Sequence, residues 1–375
     1  MLSIPPFCPN NACTYHFEEN LPKSSRLPWY HKDGTYPTAL HGRVQRYLCT
    51  RCGTKFSAQT FSLDYAVKIK VPYRRILDQI TSSSGIRSLS RHLRVSDTVI
   101  LNRLSRLARQ SIALHSALRG FCYGTEPFVT DGFESFTLSQ YFPNNIHLAV
   151  GKDSQYIYGI DYAHLRRKGR MRVEQKSRRE EFEHYFSAYK GDITRSFTRM
   201  IRQIAEYDKG LKGNHMVIYS DEKREYREVL QSLIDEKRVR HIRIPSTKPR
   251  TMTNELFAVN YLDRELRKDS GNHVRETVQF SRDVNNLMDR MWVYAAYHNC
   301  IKPFRIGKSS EQKETHAERA GFPKGKIQLL LKTFFTQRAF VRKVWLTESE
   351  WYSWYRCYTT PLQMRSPYIP RYAAA

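Results

Sequence analysis

Asp131 and Asp221 are the residues through which this chain could do chemistry. Each follows a short apolar run. Phe128-Val129 leads to Asp131 with Gly132 next, and His215-Met-Val-Ile-Tyr-Ser220 leads to Asp221. Such runs read as buried strands. The pattern predicts that each strand carries its carboxylate to its end, with Gly132 turning the backbone. Two such ends side by side would hold two carboxylates at one sheet edge. Like charges held that close are costly unless a cation lies between them. The cation that suits oxygen ligands and a phosphate substrate is Mg²⁺. A strand-end Asp can also simply cap the next element, so the rest of the chain must decide.

The charge points to the substrate. Sixty-two Lys and Arg stand against 36 Asp and Glu, a net charge of +26 and a pI near 9.8. That surplus predicts a polyanionic partner, with nucleic acid the default. No run of 18 apolar residues and no dominant basic amphipathic helix argues for a membrane. With 375 residues, 40% apolar and 26% charged, the chain reads as a soluble globular protein of two or three domains. Met1-Leu-Ser-Ile-Pro-Pro is too short and uncharged for a signal peptide. Seven cysteines, an odd number, point to a reducing cytoplasm and to metal rather than disulfides.

Four of those cysteines form two pairs. Cys8-Pro-Asn-Asn-Ala-Cys13 precedes Cys49-Thr-Arg-Cys52-Gly, while Cys122, Cys300 and Cys357 stand alone. The second pair is a knuckle that aims two thiolates at one ion, as in a structural zinc site. Tyr47 and Phe56 would cover it. The long gap between pairs implies an inserted hairpin or loop, and His16, His31 or His41 could replace Cys8 or Cys13.

Helices follow. Pro72 opens one, and Ile86, Leu89 and Leu93 give the next an apolar face. After Arg94-Val95-Ser96 a third spans 97–109, with Ser96 as its cap and Val99, Ile100, Leu104 and Leu107 inward. Two short helices about a tight turn are the helix-turn-helix arrangement. Thr98, Asn102, Arg103 and Arg106 lie on the expected outward face, and Asn and Arg read base edges.

From residue 127 the periodicity predicts strands at 127–131, 145–150 and 155–161 and a helix at 193–207. A strand at 215–220, a helix at 222–236, a strand at 240–244 and a helix at 254–268 complete it. Three consecutive strands and then alternation describe a mixed α/β sheet. This order resembles a ribonuclease-H-like domain. In that fold the first and fourth strands are neighbours, which would set Asp131 beside Asp221.

The combination resembles the DDE-type transposases of bacterial insertion sequences that carry an N-terminal zinc ribbon and helix-turn-helix. The resemblance rests on Gly42-Arg-Val-Gln-Arg-Tyr-Leu-Cys49-Thr-Arg-Cys52-Gly-Thr-Lys-Phe56, Thr130-Asp131-Gly-Phe-Glu-Ser-Phe136 and Tyr219-Ser-Asp221. His273-Val-Arg275-Glu-Thr-Val-Gln-Phe280-Ser-Arg, followed by Tyr294-Ala-Ala-Tyr297-His-Asn299, adds to it. It implies cutting and rejoining of double-stranded DNA with two Mg²⁺ on an acid cluster, by two or more chains, beside the nucleoid. It also implies a third acid, a Glu on the helix after the fifth strand. Glu255 has a suitable separation from Asp221. Aligning on Leu266-Arg267 and Arg275-Glu-Thr instead puts Asn260 at the Glu position, with Asp263 one turn later on the same face. Glu265 would point away into solvent.

The expected organisation is a zinc ribbon at 1–58, a helix-turn-helix domain at 59–120, the α/β core at 121–308 and an extension at 309–375. Glu134 reads as a polar turn residue. His164-Leu-Arg-Arg-Lys-Gly-Arg-Met-Arg172, with Arg178 and Arg179 beyond, reads as a basic flap over DNA. The extension offers an amphipathic stretch from Lys324, an aromatic group of Trp345, Trp351, Trp354 and Tyr355, and a loose tail at 367–375.

Overall fold

The computed structural model describes residues 4–22, 28–121, 126–207, 215–236, 238–274, 277–305, 313–363 and 368–374. Cys122, Arg275 and Glu276 lie outside them, as do 309–312 in the extension and 367 and 375 in the tail.

The chain opens with a three-stranded antiparallel sheet, β1 (Tyr30–Thr38), β2 (Gly42–Cys49) and β3 (Lys55–Ser57). The β1–β2 hairpin is the insertion that the long cysteine gap predicts. Helices α1 (Tyr73–Ile80), α2 (Ile86–Leu93) and α3 (Asp97–Arg119) follow. Ser96 caps α3 as expected, its hydroxyl accepting from the Val99 N–H at 3.4 Å. The helix then runs to Arg119, well past the expected 109, because Ile112, Leu114 and Leu118 continue the buried apolar series.

The second sheet has five strands: β4 (Phe128–Phe136), β5 (Pro143–Gly151), β6 (Ile157–His164), β7 (Met216–Ser220) and β8 (Val239–Arg243). Their order is β6-β5-β4-β7-β8. The first three are antiparallel, and β4, β7 and β8 are parallel. This is the mixed α/β sheet predicted from the element order. The connecting helices are α4 (Val173–Tyr185), α5 (Asp192–Ala205), α6 (Arg224–Asp235) and α7 (Phe257–Asp269). Strands β5 and β6 are buried almost end to end, as strands covered on both faces must be. Helix α8 (Val284–Cys300) packs along α3. Short helices α9 (His316–Arg319), α10 (Lys324–Phe334), α11 (Glu348–Trp354) and α12 (Arg371–Ala374) close the chain. Among the described residues no helix is long and apolar enough to cross a membrane.

Strand β4 departs from expectation. It does not end at Asp131 but continues through Gly132 to Phe136, paired with β5 throughout. Gly132 makes no turn. A Cβ there would stand 2.1 Å from the Asn145 Oδ1, so a larger residue would have to push that side chain off its bond with His147.

The segment boundaries are also less sharp than expected. One hydrophobic cluster runs from Leu63 to Tyr358 and includes α3, the five-stranded sheet, α8 and α11. The small sheet has its own cluster, which Phe340 from the extension completes. The tail is anchored too: Tyr372 and Ala373 are buried, and the Trp354 indole donates to the Ala373 carbonyl at 2.9 Å. A polar clamp joins α3 to α11. His115 Nδ1 lies 2.9 Å from Glu350 Oε1, and Arg119 contacts the same buried carboxylate. Burial alone would raise the Glu350 carboxyl, but His115 and Arg119 more than offset it and draw it to about 2. Glu350→Gln strands the buried Arg119 charge and should cost about 3–5 kcal/mol, measured by urea unfolding at pH 7. Because the folded carboxyl titrates low, its contribution is present above pH 4.5 and fades as pH falls toward 2.

Candidate active site and metal centre

The register of β4 on β7 determines where the two aspartates meet. Phe128 pairs with Ile218 and Val129 with Tyr219. Continued by two residues, the same register sets Asp131 against Asp221, where β7 has ended and leaves β4 without its parallel neighbour. Asp131 Oδ1 accepts from the Gly132 N–H at 2.7 Å, and Asp221 Oδ1 accepts from the Lys223 N–H at 3.1 Å. Burial, and then the charge of Asp221, push the Asp131 carboxyl up to about 6.

Helix α7 carries Asp263. Burial, and then the charge of Asp131, push Asp263 up to about 7. The charge of Asp221 thus acts on Asp131, and that of Asp131 on Asp263. Asp263 Oδ1 is buried with no hydrogen-bond partner, which is costly unless something else meets it. Lys223, Arg250 and Arg267 supply opposing positive charge.

The other candidates for the third position are placed elsewhere. Glu255 precedes α7, which begins only at Phe257 because Asn254 Oδ1 takes the Leu256 N–H at 2.8 Å. Both Glu255 oxygens lie 2.7 Å from Lys248 Nζ, which holds that carboxyl below its usual range. Asn260 does share a face with Asp263, but its Oδ1 accepts from Arg250 at 3.3 Å. Glu265 is buried rather than solvated, 2.8 Å from Lys302. Glu134 is exposed on β4, in a strand rather than a turn.

Behind β4 lies a support that the sequence reading missed. Asn145 Nδ2 is 2.9 Å from His147 Nε2, and His147 Nδ1 is 2.9 Å from the Ser196 hydroxyl. Ser196 donates to Asp161 at 3.3 Å, and Asp161 is paired with Arg199 at 2.7 Å. Tyr226, fully buried and stacked on Phe197 at 4.1 Å, lies in the field of Asp131 and Asp221. The available signal was Asn145 and His147 themselves, polar residues at alternate positions of an apolar strand.

The cysteines meet as expected. Cys8, Cys13, Cys49 and Cys52 place all four Sγ atoms within 4.8 Å of one another. Cys8 and Cys52 are 3.7 Å apart, and Cys13 and Cys49 are 3.9 Å apart. Four thiolates about 2.3 Å from a tetrahedral Zn²⁺ would be ~3.8 Å apart, so the set fits that ion. Burial would raise Cys52, but hydrogen bonds from Thr54, Cys13 and Cys49 more than offset it and draw it to about 6. Gly53, at φ +69°, makes the knuckle turn. Tyr47 stacks on Phe56 at 5.5 Å and covers the site. His16 Nδ1 is instead 2.9 Å from the Cys8 carbonyl, and His31 and His41 are not in the cluster. Among the described residues, Asp131, Asp221 and Asp263 do not form a group with ligand atoms all within that 4.8 Å limit.

No protein-family model matches this sequence, and no curated protein matches it.

The expected reading face of α3 is corrected. Arg103 and Arg106 point inward. Arg103 donates to the Ile69 carbonyl at 3.0 Å, and Arg106 donates to the carbonyls of Leu63 and Tyr65 at 2.6 and 2.8 Å. The Arg106 guanidinium lies 4.2 Å from the Tyr372 ring. Asn102 Oδ1 is occupied by both arginines, at 2.7 and 3.2 Å. The reason is backbone satisfaction: the segment laid across α3 buries carbonyls that need donors. Thr98 stays exposed, as do Arg87, Arg91 and Arg94 on and beside α2. The basic flap is a loop at 165–172 followed by α4, none of whose residues is buried.

Proposed function

We propose that this protein is a DDE-type transposase that cuts and rejoins DNA at the ends of an insertion sequence, with a ribonuclease-H-like core. The observation that carries the reading is the acid set: Asp131 on β4, Asp221 just past the end of the adjacent parallel strand β7, and Asp263 of α7, whose carboxyl the charge of Asp131 raises. The strand order, with three antiparallel strands extended by two parallel ones, supports the same core. Asp263 takes the place of the family's Glu with one methylene less reach.

Asp131, Asp221 and Asp263 would hold two Mg²⁺, which supply an activated nucleophile and a stabilised leaving oxygen when bound. The unpartnered Asp263 oxygen leaves a ligand position that a cation would meet. Lys223, Arg250 and Arg267 ring the acids with positive charge and orient a phosphodiester toward them. Asp131 and Asp263 hold protons near neutrality without metal, so cation affinity rises as pH rises through 6 to 7. The four-cysteine ribbon with Zn²⁺ and the helical segment would hold the element ends. Two chains would join two ends.

The surplus charge outside the acid site supports DNA as the partner. Arg87 and Arg91 of α2 replace Arg103 and Arg106 as the contacts we assign to it. Arg87→Ala with Arg91→Ala should weaken DNA binding and lower the salt dependence by a slope of roughly 2, from two lost phosphate contacts. Arg103→Ala should instead lower stability, since it empties a buried position and leaves the Ile69 carbonyl without its donor. Binding measured across a salt series, beside thermal melts, separates the two.

The test of function uses the intact protein, Mg²⁺ and DNA carrying any short inverted repeats that flank the gene. Joined products support the proposal. Cleavage without joining makes the protein a structure-selective nuclease of the same fold. Binding with neither makes it a DNA-binding regulator.

A further inference from the structure

Helix α7, which carries Asp263, ends at Asp269. The last carbonyls of a helix have no donors within it. Those of Lys268 and Asp269 are met from a remote part of the chain. The Ser83 hydroxyl donates to the Lys268 carbonyl at 2.5 Å, and the Ser83 N–H donates to the Asp269 carbonyl at 2.8 Å. Ser83 lies in the turn between α1 and α2. It holds φ +61°, the left-handed region that residues other than glycine rarely adopt. Such a conformation persists where the surroundings enforce it. The two segments are also in close backbone contact: a Cβ on Gly271 would stand 2.8 Å from the Ser83 carbonyl oxygen.

The same turn is fastened toward β4, the strand that carries Asp131. The Ser84 carbonyl accepts from Arg290 Nη2 at 3.0 Å, and Arg290 Nη1 donates to Asn272 Oδ1 at 2.7 Å. Asn272 Nδ2 is 3.1 Å from His273 Nε2, and His273 Nδ1 is 2.8 Å from the Ser135 hydroxyl on β4. All four of these side chains are buried. Other groups hold the same end of α7 by its side chains. Lys302 Nζ is 3.2 Å from the Asp269 carboxylate, and the Tyr294 hydroxyl donates to it at 3.3 Å. Ser83 differs in gripping the backbone itself. Asp263 stands about 9 Å before Asp269 along the axis, at ~1.5 Å per residue, so a shift of this end moves its carboxylate too.

We propose that Ser83 is a positioning residue for Asp263: by capping α7 from the turn between α1 and α2, it fixes how that carboxylate is presented to Asp131 and to a cation. The consequence for cation binding rests on the reading of Asp263 as a ligand; the positioning does not. Ser83→Gly and Ser83→Ala both remove the hydroxyl and keep the N–H, but only glycine relaxes the left-handed backbone. Ser83→Gly therefore keeps the fold. A hydroxyl that merely stabilised the turn would leave Mn²⁺ affinity following the melting temperatures, glycine above alanine. A positioning hydroxyl predicts that both variants of the intact, zinc-loaded protein bind Mn²⁺ ~5-fold more weakly and alike, the scale of one lost hydrogen bond, although their melting temperatures differ. A second measurement needs no metal. At pH 8 without divalent cation, Asp263→Asn should raise the melting temperature of the wild type by removing a buried charge. It should raise that of Ser83→Gly less, because the freed end of α7 lets the carboxylate reach water. Substitutions at sites this far apart otherwise add. Unchanged Mn²⁺ affinity in both variants, affinity that follows melting, or additive melting shifts overturn the positioning role. Non-additive shifts in a protein that binds no Mn²⁺ keep that role and sink the cation site. Mn²⁺ binding by the wild type, unchanged in both variants, does the reverse.

Discussion

Asp263→Asn should abolish DNA cleavage and joining, as should Asp131→Asn and Asp221→Asn. Losing one carboxylate from a cation site that stabilises the transition state by several kcal/mol predicts a drop of ~10³-fold or more. DNA binding should stay intact or tighten, because a negative charge facing phosphate is gone. Glu255→Gln should leave the rate near wild type, since that carboxylate is engaged by Lys248 outside α7. Stability adds a readout that does not depend on chemistry. Asp131 and Asp263 titrate at about 6 and about 7 in the folded chain against an ordinary 3.8. The folded state thus keeps protons that the unfolded chain has lost, and metal-free stability falls as pH rises from about 4 to 7. Asp263→Asn removes part of that fall. Without metal at pH 8 the inactive variant should melt above the wild type, and saturating Mg²⁺ should reverse the order.

Loss of the four-cysteine centre should be the largest effect on folding. The ribbon is small, and its buried aromatic group of Trp29, Tyr47, Phe56 and Phe61 is organised around the cysteines. Structural zinc in such modules contributes an apparent ~10–16 kcal/mol near neutral pH. Metal analysis should find about one zinc per chain. Cys49→Ser together with Cys52→Ser should remove it and unfold the ribbon. The damage should spread to the extension, since Phe340 packs on Phe7 at 5.0 Å and Lys343 pairs with Glu18 at 3.0 Å. Proteolysis should then cut near 340 as well as within the ribbon. Zinc retained by the double variant would refute the ligand set.

The sequence was legible where short-range pattern decides structure. Apolar runs located all five strands of the large sheet, and cysteine spacing located the four-cysteine cluster with its intervening hairpin. It failed where distant segments impose the outcome. The continuation of β4 past Asp131 depends on β5 pairing beside it, and Gly132 looked like a turn because Asn145 could not be seen against it. Arg103 and Arg106 have the types and spacing of a reading face. What turns them inward is the segment at 62–71 and the Tyr372 ring, remote in sequence. The exclusion of Glu255 from α7 was not legible because the helix start follows a turn in which Asn254 Oδ1 takes the Leu256 N–H. The anchored tail was illegible for the same reason: Tyr372 and Ala373 find their partners more than ten residues away.

The most direct test of the central claim, that Asp131, Asp221 and Asp263 form a divalent-cation site, is a Mn²⁺ titration of the intact zinc-loaded protein at pH 7.5, followed by calorimetry. We expect two ions per chain in the wild type, and fewer in Asp131→Asn, whose carboxylate acts on Asp263 and feels Asp221. Equal Mn²⁺ binding by the wild type and Asp131→Asn would contradict the account.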